Sequence, residues 1–189
     1  IGYMESPDGV TWIRDAANPI LDVGKAGSWD DKNLSGSRAF TMPDGTMRLY
    51  YDGASSVSTL DTGYGLGYAT SKDGLVFTKV TVARPILGPF SSEFGIVFAH
   101  GSWQGWYAPK YQKGLKFMWS SDGLTWNLPW RLVLAPEAAK PRPTSLSAQP
   151  DVGLGDAVSV VLMNGVYSIY YTGANMYYNN AQHRSEAIC

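Results

Sequence analysis

A seven-residue motif that occurs three times constrains the fold of this chain more than any other feature. It reads Ser-x-Asp-Gly-x-x-aromatic and spans residues 6–12, 71–77 and 120–126. Asp-Gly is a strong signal for a turn between antiparallel strands, because glycine accepts the positive φ that such turns need. The Ser and Asp side chains can accept hydrogen bonds from turn N–H groups that a sheet leaves unpaired. Repetition of the motif predicts a repeated structural unit.

Strand-like segments surround each motif. One precedes every copy, at 1–4, 65–69 and 115–119, and a short strand follows it. Between the motifs we predict three hairpins rich in β-branched and aromatic residues: 38–42 with 47–51, 96–99 with 106–107, and 157–162 with 167–171. Each unit then has four antiparallel strands, which is the composition of a propeller blade. We therefore predict an all-β fold, a β-propeller of four-stranded antiparallel blades with about three blade repeats.

The order of the units bears on domain organisation. We predict a single β-propeller-type domain over residues 1–189, which begins with the third and fourth strands of a blade and finishes with the first two strands of one. Three repeats are fewer than the usual minimum of about four blades. Three alternatives stay open: an incomplete ring, closure by pairing of the N- and C-terminal strands, and closure by homo-oligomerisation.

Composition excludes several classes of partner. The net charge is −1 and charged residues are 16% of the chain, so no basic stripe is available for nucleic acid. No apolar run approaches the roughly 20 residues that a membrane helix needs, and we expect no membrane partner. The one cysteine, Cys189, excludes an intrachain disulfide and a thiolate metal cluster. The compartment stays open, with a secreted or periplasmic location slightly favoured over a cytoplasmic one.

Several short phrases resemble one group of enzymes. They are Gly-Ser-Trp-Asp at 27–30, Leu-Tyr-Tyr-Asp-Gly at 49–53, Gly-Tyr-Ala-Thr-Ser-Lys-Asp-Gly at 67–74 and Tyr-Tyr-Thr-Gly at 170–173. Over nearly its whole length the chain resembles the glycoside hydrolases with five-bladed β-propellers, the arabinanase, β-xylosidase and β-fructosidase relatives (families 43 and 32) and the related mannoside phosphorylases. The resemblance is more specific for blade architecture than for activity.

This resemblance implies a protein that acts on oligo- or polysaccharide through paired carboxylates in a central funnel. Carbohydrate is then the partner, and no cofactor is needed. Some relatives hold a calcium ion in the funnel, but nothing in this sequence indicates one. A lone His100 at a predicted turn, with no companion at ligand spacing, predicts no metal site.

The resemblance also implies where the catalytic acids lie, because the innermost strand of each blade carries them. When the three hairpins are aligned on their Tyr-rich second strands, Glu93, Asp156 and Gly36 fall at matching positions. Our hypothesis is that Glu93 is the general acid and Asp156 the second carboxylate, with Asp30 or Asp31 reaching the same mouth. The alternative is that these are solvated acids at loop ends.

Gly36 departs from the pattern and puts a full carboxylate triad in doubt. The rival hypothesis is therefore a non-catalytic propeller that binds carbohydrate or serves as an interaction scaffold. Both hypotheses share the same fold, so the choice between them depends on the site.

Four further residues are candidates for substrate binding. Trp29 and Trp103 lie near predicted loops and could stack on sugar faces, with core packing as the alternative. Arg38 begins an inner strand and could bind a substrate hydroxyl or carboxylate, or form an ion pair with a neighbouring acid. Asp31 lies in the loop before that strand.

The acids and aromatics of the repeated motif have structural roles in this interpretation. The turn is expected to use the side chains of Asp8, Asp73 and Asp122. We expect the motif aromatics Trp12, Phe77 and Trp126 to lie in the core.

Overall fold

The structure is a computed structural model of the chain. The structure describes residues 1–56, 64–80, 83–90, 94–107, 114–134, 153–174 and 186–188. For residues 89–90, 128–134, 153–157, 172–174 and 186–188 it describes the backbone alone.

Strands are the regular elements of these residues. They are β1 (Met4–Glu5), β2 (Ile13–Arg14), β3 (Asn33–Thr41), β4 (Met47–Ala54), β5 (Tyr64–Ser71), β6 (Thr78–Lys79), β7 (Leu87–Phe90), β8 (Gly95–Ala99), β9 (Ser102–Tyr107), β10 (Leu115–Ser120), β11 (Asn127–Leu134), β12 (Gly153–Met163), β13 (Val166–Ala174) and β14 (Glu186–Ile188). The pairs with a defined register are antiparallel. The all-β prediction is thus confirmed. Within the described residues, no helix has the length and hydropathy that a membrane crossing needs.

The chain divides into two compact units, Ile1–Gly88 and Pro89–Cys189. The prediction of one propeller-type domain over 1–189, with its three alternatives for closure, stays a prediction.

The first unit contains one complete example of the predicted repeat. Its main sheet has the order β3-β4-β5-β6, and β7 also pairs with β5. The β3–β4 hairpin turns at Gly45, where φ is +81°. Leu21, Leu49, Tyr51 and Ala69 form a buried cluster against this sheet. A separate two-stranded sheet joins β1 to β2.

The second unit contains another complete repeat and a shorter sheet. The complete sheet has the order β11-β10-β9-β8, and the shorter one has the order β12-β13-β14. The predicted hairpin turns at 100–101 and 164–165 are confirmed, with positive φ at both residues of each turn. The two sheets touch where β8 approaches β12: a Cβ built on Gly95 would lie 3.0 Å from side-chain carbons of Val158 and Val160. Glycine at this position lets the two backbones approach closely.

The repeated motif forms the turn that the sequence predicts. In the second copy, Ser71 Oγ donates to Asp73 Oδ1 at 2.8 Å and accepts from the Gly74 N–H at 2.9 Å. Asp73 Oδ1 also accepts from the N–H groups of Leu75 and Val76, both at 2.9 Å. The other two copies repeat these hydrogen bonds. The connection from β5 to β6 is longer than a two-residue hairpin turn. Side-chain oxygens therefore pair N–H groups that have no partner in the sheet.

These hydrogen bonds also set the acidity of the motif carboxylates. Bonds to the backbone N–H groups of Val76 and Leu75, followed by the Ser71 hydroxyl, lower the pKa of Asp73 to about 2. The same contacts lower the pKa of Asp122 to about 2 and that of Asp8 further below its usual range. A structural role for the three turn acids follows.

The motif aromatics differ from one another in exposure. Trp126 is 8% exposed and packs edge-on against Phe94 with ring centroids 5.3 Å apart, as expected for a core residue. Phe77 is partly buried and packs on the first unit's cluster. The expectation for Trp12 is wrong, because its side chain is 55% exposed. Trp12 directly precedes β2, and among the described strands β2 pairs with β1 alone.

Candidate functional site

The inner strands of two hairpins bulge near the predicted positions of the catalytic acids. In β3, Ser35 pairs with Asp52 and Arg38 with Tyr50, so β3 has one extra residue between these pairs. In β12, Leu154 pairs with Gly173 and Val158 with Tyr171, which leaves two extra residues in β12. Bulges re-aim side chains and occur often beside active sites.

At the β3 bulge an acid from the neighbouring strand occupies the place where Gly36 has no side chain. A Cβ built on Gly36 would lie 2.1 Å from Oδ2 of Asp52. Gly36 has a φ of +55°, and its carbonyl oxygen accepts a hydrogen bond from Arg38 Nη1. Asp52 is 1% exposed, and its Oδ1 lies 3.7 Å from the same Arg38 nitrogen. The bulge thus holds a buried carboxylate beside a guanidinium.

Arg38 therefore has an acid as its neighbour, which was the second of its two sequence-based interpretations. The ion pair with Asp52 neutralises a carboxylate that would be costly to bury alone. Arg38 retains partial exposure, at 18% for its side chain.

Trp29 lies on the other face of the same sheet. Its ring stacks on Tyr51 with centroids 5.8 Å apart and planes 14° apart. Cβ atoms built on the paired residues Gly53 and Gly65 would lie 2.7 and 3.3 Å from the indole. The ring therefore packs directly on the backbone of these two glycines. Because side chains alternate along β4, Tyr51 and Gly53 face away from Asp52. The structure therefore separates Trp29 from the cluster at the bulge.

Asp30 is held by an ion pair on the same face as Trp29. Its Oδ2 lies 2.7 Å from Lys79 Nζ and accepts a hydrogen bond from the Tyr51 hydroxyl at 3.1 Å. Its Oδ1 accepts from the Ser28 hydroxyl at 3.0 Å. Asp30 is 2% exposed. These contacts give it the geometry of an anchor that fixes the 22–32 loop to the sheet.

Asp31 fastens the same loop to the end of the β4 strand. Its carboxylate accepts from the Ser56 N–H at 2.6 Å, the Ser56 hydroxyl at 2.7 Å and the Gly27 N–H at 2.6 Å. These bonds, the one from the Ser56 backbone first, lower the pKa of Asp31 to about 2. A carboxylate with this pKa stays ionised at neutral pH.

Trp103 lies inside the second unit's complete sheet. It belongs to β9, is 1% exposed, and packs against Phe98 with ring centroids 4.8 Å apart. Stacking on a sugar needs an accessible ring face. Packing, the alternative interpretation of Trp103, agrees with this burial.

The two main catalytic candidates both belong to the second unit. Asp156 lies within β12, in the segment that bulges, and its side chain is outside the described residues. Glu93 lies outside the described residues altogether, two positions before β8 begins. Their assignment stays a prediction.

Two buried charged residues were missed by the sequence reasoning. Asp52 could have been found by comparing the second strands of the three hairpins, where Tyr-Tyr-Asp at 50–52 matches Trp-Tyr-Ala at 106–108 and Tyr-Tyr-Thr at 170–172. Lys116 on β10 is 6% exposed, and burial lowers its pKa. The sequence did not indicate that Lys116 is buried, because a lysine that alternates with apolar residues in a strand usually faces solvent.

Among the described residues, no group of three or more His, Cys, Asp and Glu side chains could hold a metal ion.

Comparison with known proteins supports the fold and leaves the activity open. No protein-family model matches the sequence, and no curated protein matches it. Among solved structures, a glycosyl hydrolase from Bacteroides ovatus is similar over 99% of this chain and 55% of its own, with 14% identity and a TM-score of 0.65.

Two further solved structures extend this likeness. A β-1,2-mannobiose phosphorylase from Listeria innocua matches over 98% of this chain and 47% of its own, with 16% identity and a TM-score of 0.64. A family 117 glycoside hydrolase from Zobellia galactanivorans matches over 89% and 55%, with 15% identity and a TM-score of 0.52. The chain spans about half the length of each of these structures. The chain thus has the fold of glycoside hydrolase-type proteins.

Proposed function

We propose that this protein is a glycoside hydrolase-like propeller protein that acts on oligo- or polysaccharide through the paired carboxylates of Glu93 and Asp156. Support for the substrate class comes from the solved structures of similar fold, which are glycoside hydrolases and a mannobiose phosphorylase. Support for the propeller comes from the repeat itself. In two sheets, four antiparallel strands follow the same order, and the same Ser-x-Asp-Gly turn joins the third of these strands to the fourth.

The contact between β8 and β12 supports the proposed pairing of the two acids. Gly95 of β8 packs against Val158 of β12, with the Val158 carbonyl oxygen 3.3 Å from a Cβ built on Gly95. Glu93 precedes Gly95 by two residues, and Asp156 precedes Val158 by two residues. Two residues of chain span at most about 7 Å. This spacing along the chain supports the proposal that Glu93 and Asp156 act together.

The proposed chemistry divides the work between the two carboxyl groups. Glu93 donates a proton to the glycosidic oxygen as the bond breaks, and Asp156 acts at the anomeric carbon, either directly or through an activated water. A separation of about 5 Å favours retention of configuration, whereas about 6.5–9.5 Å leaves room for water and favours inversion. In a phosphorylase, inorganic phosphate takes the place of that water.

A non-catalytic carbohydrate-binding or interaction propeller is the second candidate. The observation that favours it is the state of the first unit's acids. Lys79 holds Asp30, three donors hold Asp31, and Asp52 fills the space at Gly36 beside Arg38. All three carboxylates therefore have structural contacts, as expected for a propeller that binds carbohydrate without cleaving it.

Assays on glycosides separate the two candidates. We expect the chain to release the aryl group from at least one member of a panel of aryl glycosides, tested with and without inorganic phosphate. Glu93→Gln and Asp156→Asn should each lower kcat by at least about 100-fold. The exposed Asp22→Asn is the matched control and should leave kcat unchanged. Binding to a glycan array without turnover of any glycoside would support the second candidate instead.

A further inference from the structure

An exposed tryptophan on the second unit's four-stranded sheet lies in a row of uncharged side chains. Trp119 of β10 pairs with Gln104 of β9 on one side and with Asn127 of β11 on the other. Gln104 in turn pairs with Val97 of β8. Because directly paired residues project from the same face of a sheet, the four side chains form one row across all four strands. These four residues are called the Trp119 row below.

Solvent reaches the row at its aromatic residue and at both amides. Trp119 is 48% exposed, whereas its neighbours in the strand, Met118 and Ser120, are 1% and 0% exposed. Asn127 is exposed and Gln104 is partly buried. An indole that is accessible between two polar side chains has the composition of a contact residue, with an apolar ring face and hydrogen-bonding groups beside it.

The matching row in the first unit is accessible as well. When the repeats are aligned on the motif serine, Thr70 matches Trp119. Thr70 pairs with Arg48 on one side and with Thr78 on the other. Thr78 is exposed, and Thr70 and Arg48 are partly buried. Both units therefore leave this part of the repeat open to solvent, and the second unit places a tryptophan there.

A bulge in β11 lies directly beside Trp119. Phe117 pairs with Arg131 and Trp119 pairs with Asn127, so β11 has two extra residues between these pairs. The insertion contains Pro129, which has no N–H to donate to a neighbouring strand. Asn127 Nδ2 donates to the Trp119 backbone carbonyl at 3.4 Å, which holds the amide next to the tryptophan. Bulges re-aim side chains and are common beside functional sites.

We propose that the Trp119 row is a binding site for neutral carbohydrate, separate from the acids Glu93 and Asp156. The indole packs against the apolar C–H face of a sugar ring. The flanking amides of Gln104 and Asn127 each donate and accept hydrogen bonds, which matches hydroxyl groups that do both. The row has no charge to offset the desolvation of a uronate or a sulfate, so a neutral sugar fits it better than an acidic one.

The exposure of the site favours a polysaccharide over a single sugar. Sites for small molecules are usually concave and enclose most of the ligand, whereas an exposed ring on a sheet covers one face of one sugar. Such a contact is weak by itself, because little surface is buried to offset the cost of association. A polysaccharide presents many copies of the same sugar, which raises the effective concentration of sugar at the site. The ligand class is therefore a neutral polysaccharide.

Affinity electrophoresis tests the site on the full chain, in native gels that each contain mannan, arabinan, xylan or levan. We expect at least one of these neutral polysaccharides to retard the unmodified protein. Trp119→Ala should weaken that binding by about tenfold or more, and Gln104→Met and Asn127→Leu by about fivefold each. Trp119→Phe keeps an aromatic ring and should retain most of the affinity. The matched control is Trp12→Ala, which removes a tryptophan that is 55% exposed in the other unit and should bind normally.

Further measurements separate this site from the catalytic proposal. Glu93→Gln should be retarded as strongly as the unmodified protein, and Trp119→Ala should keep its urea midpoint because the residue is half exposed. Turnover of aryl glycosides without retardation by any of the four gels would overturn the Trp119 row and leave the catalytic proposal standing. Unchanged retardation of Trp119→Ala, or stronger retardation of the unmodified protein by polygalacturonate, would also overturn it. A smaller sedimentation mass for Trp119→Ala, without polysaccharide binding, would instead assign the row to a protein interface.

Discussion

Asp52 occupies the space in which a side chain at Gly36 would begin, since a Cβ built on Gly36 would lie 2.1 Å from Oδ2 of Asp52. The first hairpin lacks an acid at position 36 itself, but it has a carboxylate at the same place in space. In the first hairpin a buried acid comes from the neighbouring strand, beside Arg38. The side chain of Asp52 fits at this position because residue 36 is a glycine.

Gly36→Ala should destabilise the protein by about 3 kcal/mol. About 1 kcal/mol comes from the positive φ and about 2 kcal/mol from overpacking against buried Asp52. Gly45→Ala is the matched control, because Gly45 has a φ of +81° but nothing within 4 Å of a built Cβ. It should cost about 1 kcal/mol. Urea unfolding measures both values, and equal losses would show that Asp52 does not crowd position 36.

Lys79→Met should destabilise the protein by about 3 kcal/mol, because it leaves the Asp30 carboxylate buried without its cation. Lys72→Met, at an exposed position in a turn, should change stability by less than about 0.5 kcal/mol. Urea unfolding again measures both. A stable Lys79→Met protein would mean that Asp30 is not an anchor and would restore it as a catalytic candidate.

The pH dependence of stability should reflect the motif turns. The folded-state pKa of Asp73 is about 2, below its usual value of about 3.9. Its contribution is therefore fully present above about pH 4 and is lost as the pH falls toward 2. Asp73→Asn should flatten the dependence of the urea midpoint on pH between 4 and 2. Ser71→Ala keeps the carboxylate and most of its N–H donors, so it should retain most of that slope. Parallel curves for Asp73→Asn and the unmodified protein would refute a structural role for this carboxylate.

Trp103→Ala should cost about 4 kcal/mol of stability, as expected for loss of a fully buried indole. Trp103→Phe keeps an aromatic ring beside Phe98 and should cost less. Glycan affinity of the folded Trp103→Phe protein should equal that of the unmodified protein. A marked loss of glycan affinity with stability retained would return Trp103 to the binding site.

Local chemistry made the strands and turns predictable. The Ser-x-Asp-Gly turns depend on side chains within four residues of each other, and the hairpins depend on alternation and on turns such as Asn164-Gly165. Nothing beyond these short segments is needed to fix their conformation. This is why the strand order of both complete sheets agrees with the sequence-based prediction.

The positions of individual side chains depended on longer-range features. The bulge in β3 decides that Asp52 meets Gly36, and a bulge leaves no clear trace in the alternation of a strand. Trp103 is buried because β9 has a neighbouring strand on each side. Trp12 is exposed because it lies beside β2, in a sheet of two strands. The position of a tryptophan relative to the loops in the sequence does not predict its exposure. Asp30 and Asp31 looked like funnel acids because their partners, Lys79 and Ser56, are distant along the chain.

A double-mutant cycle on kcat/KM for a hydrolysed glycoside tests the central proposal most directly. If Glu93 and Asp156 act in one reaction, each single substitution to the amide should remove nearly all the rate enhancement. The double variant should then be little worse than the poorer single variant. Single variants with unchanged kcat/KM, in a preparation that turns over the glycoside, would contradict the assignment of this pair.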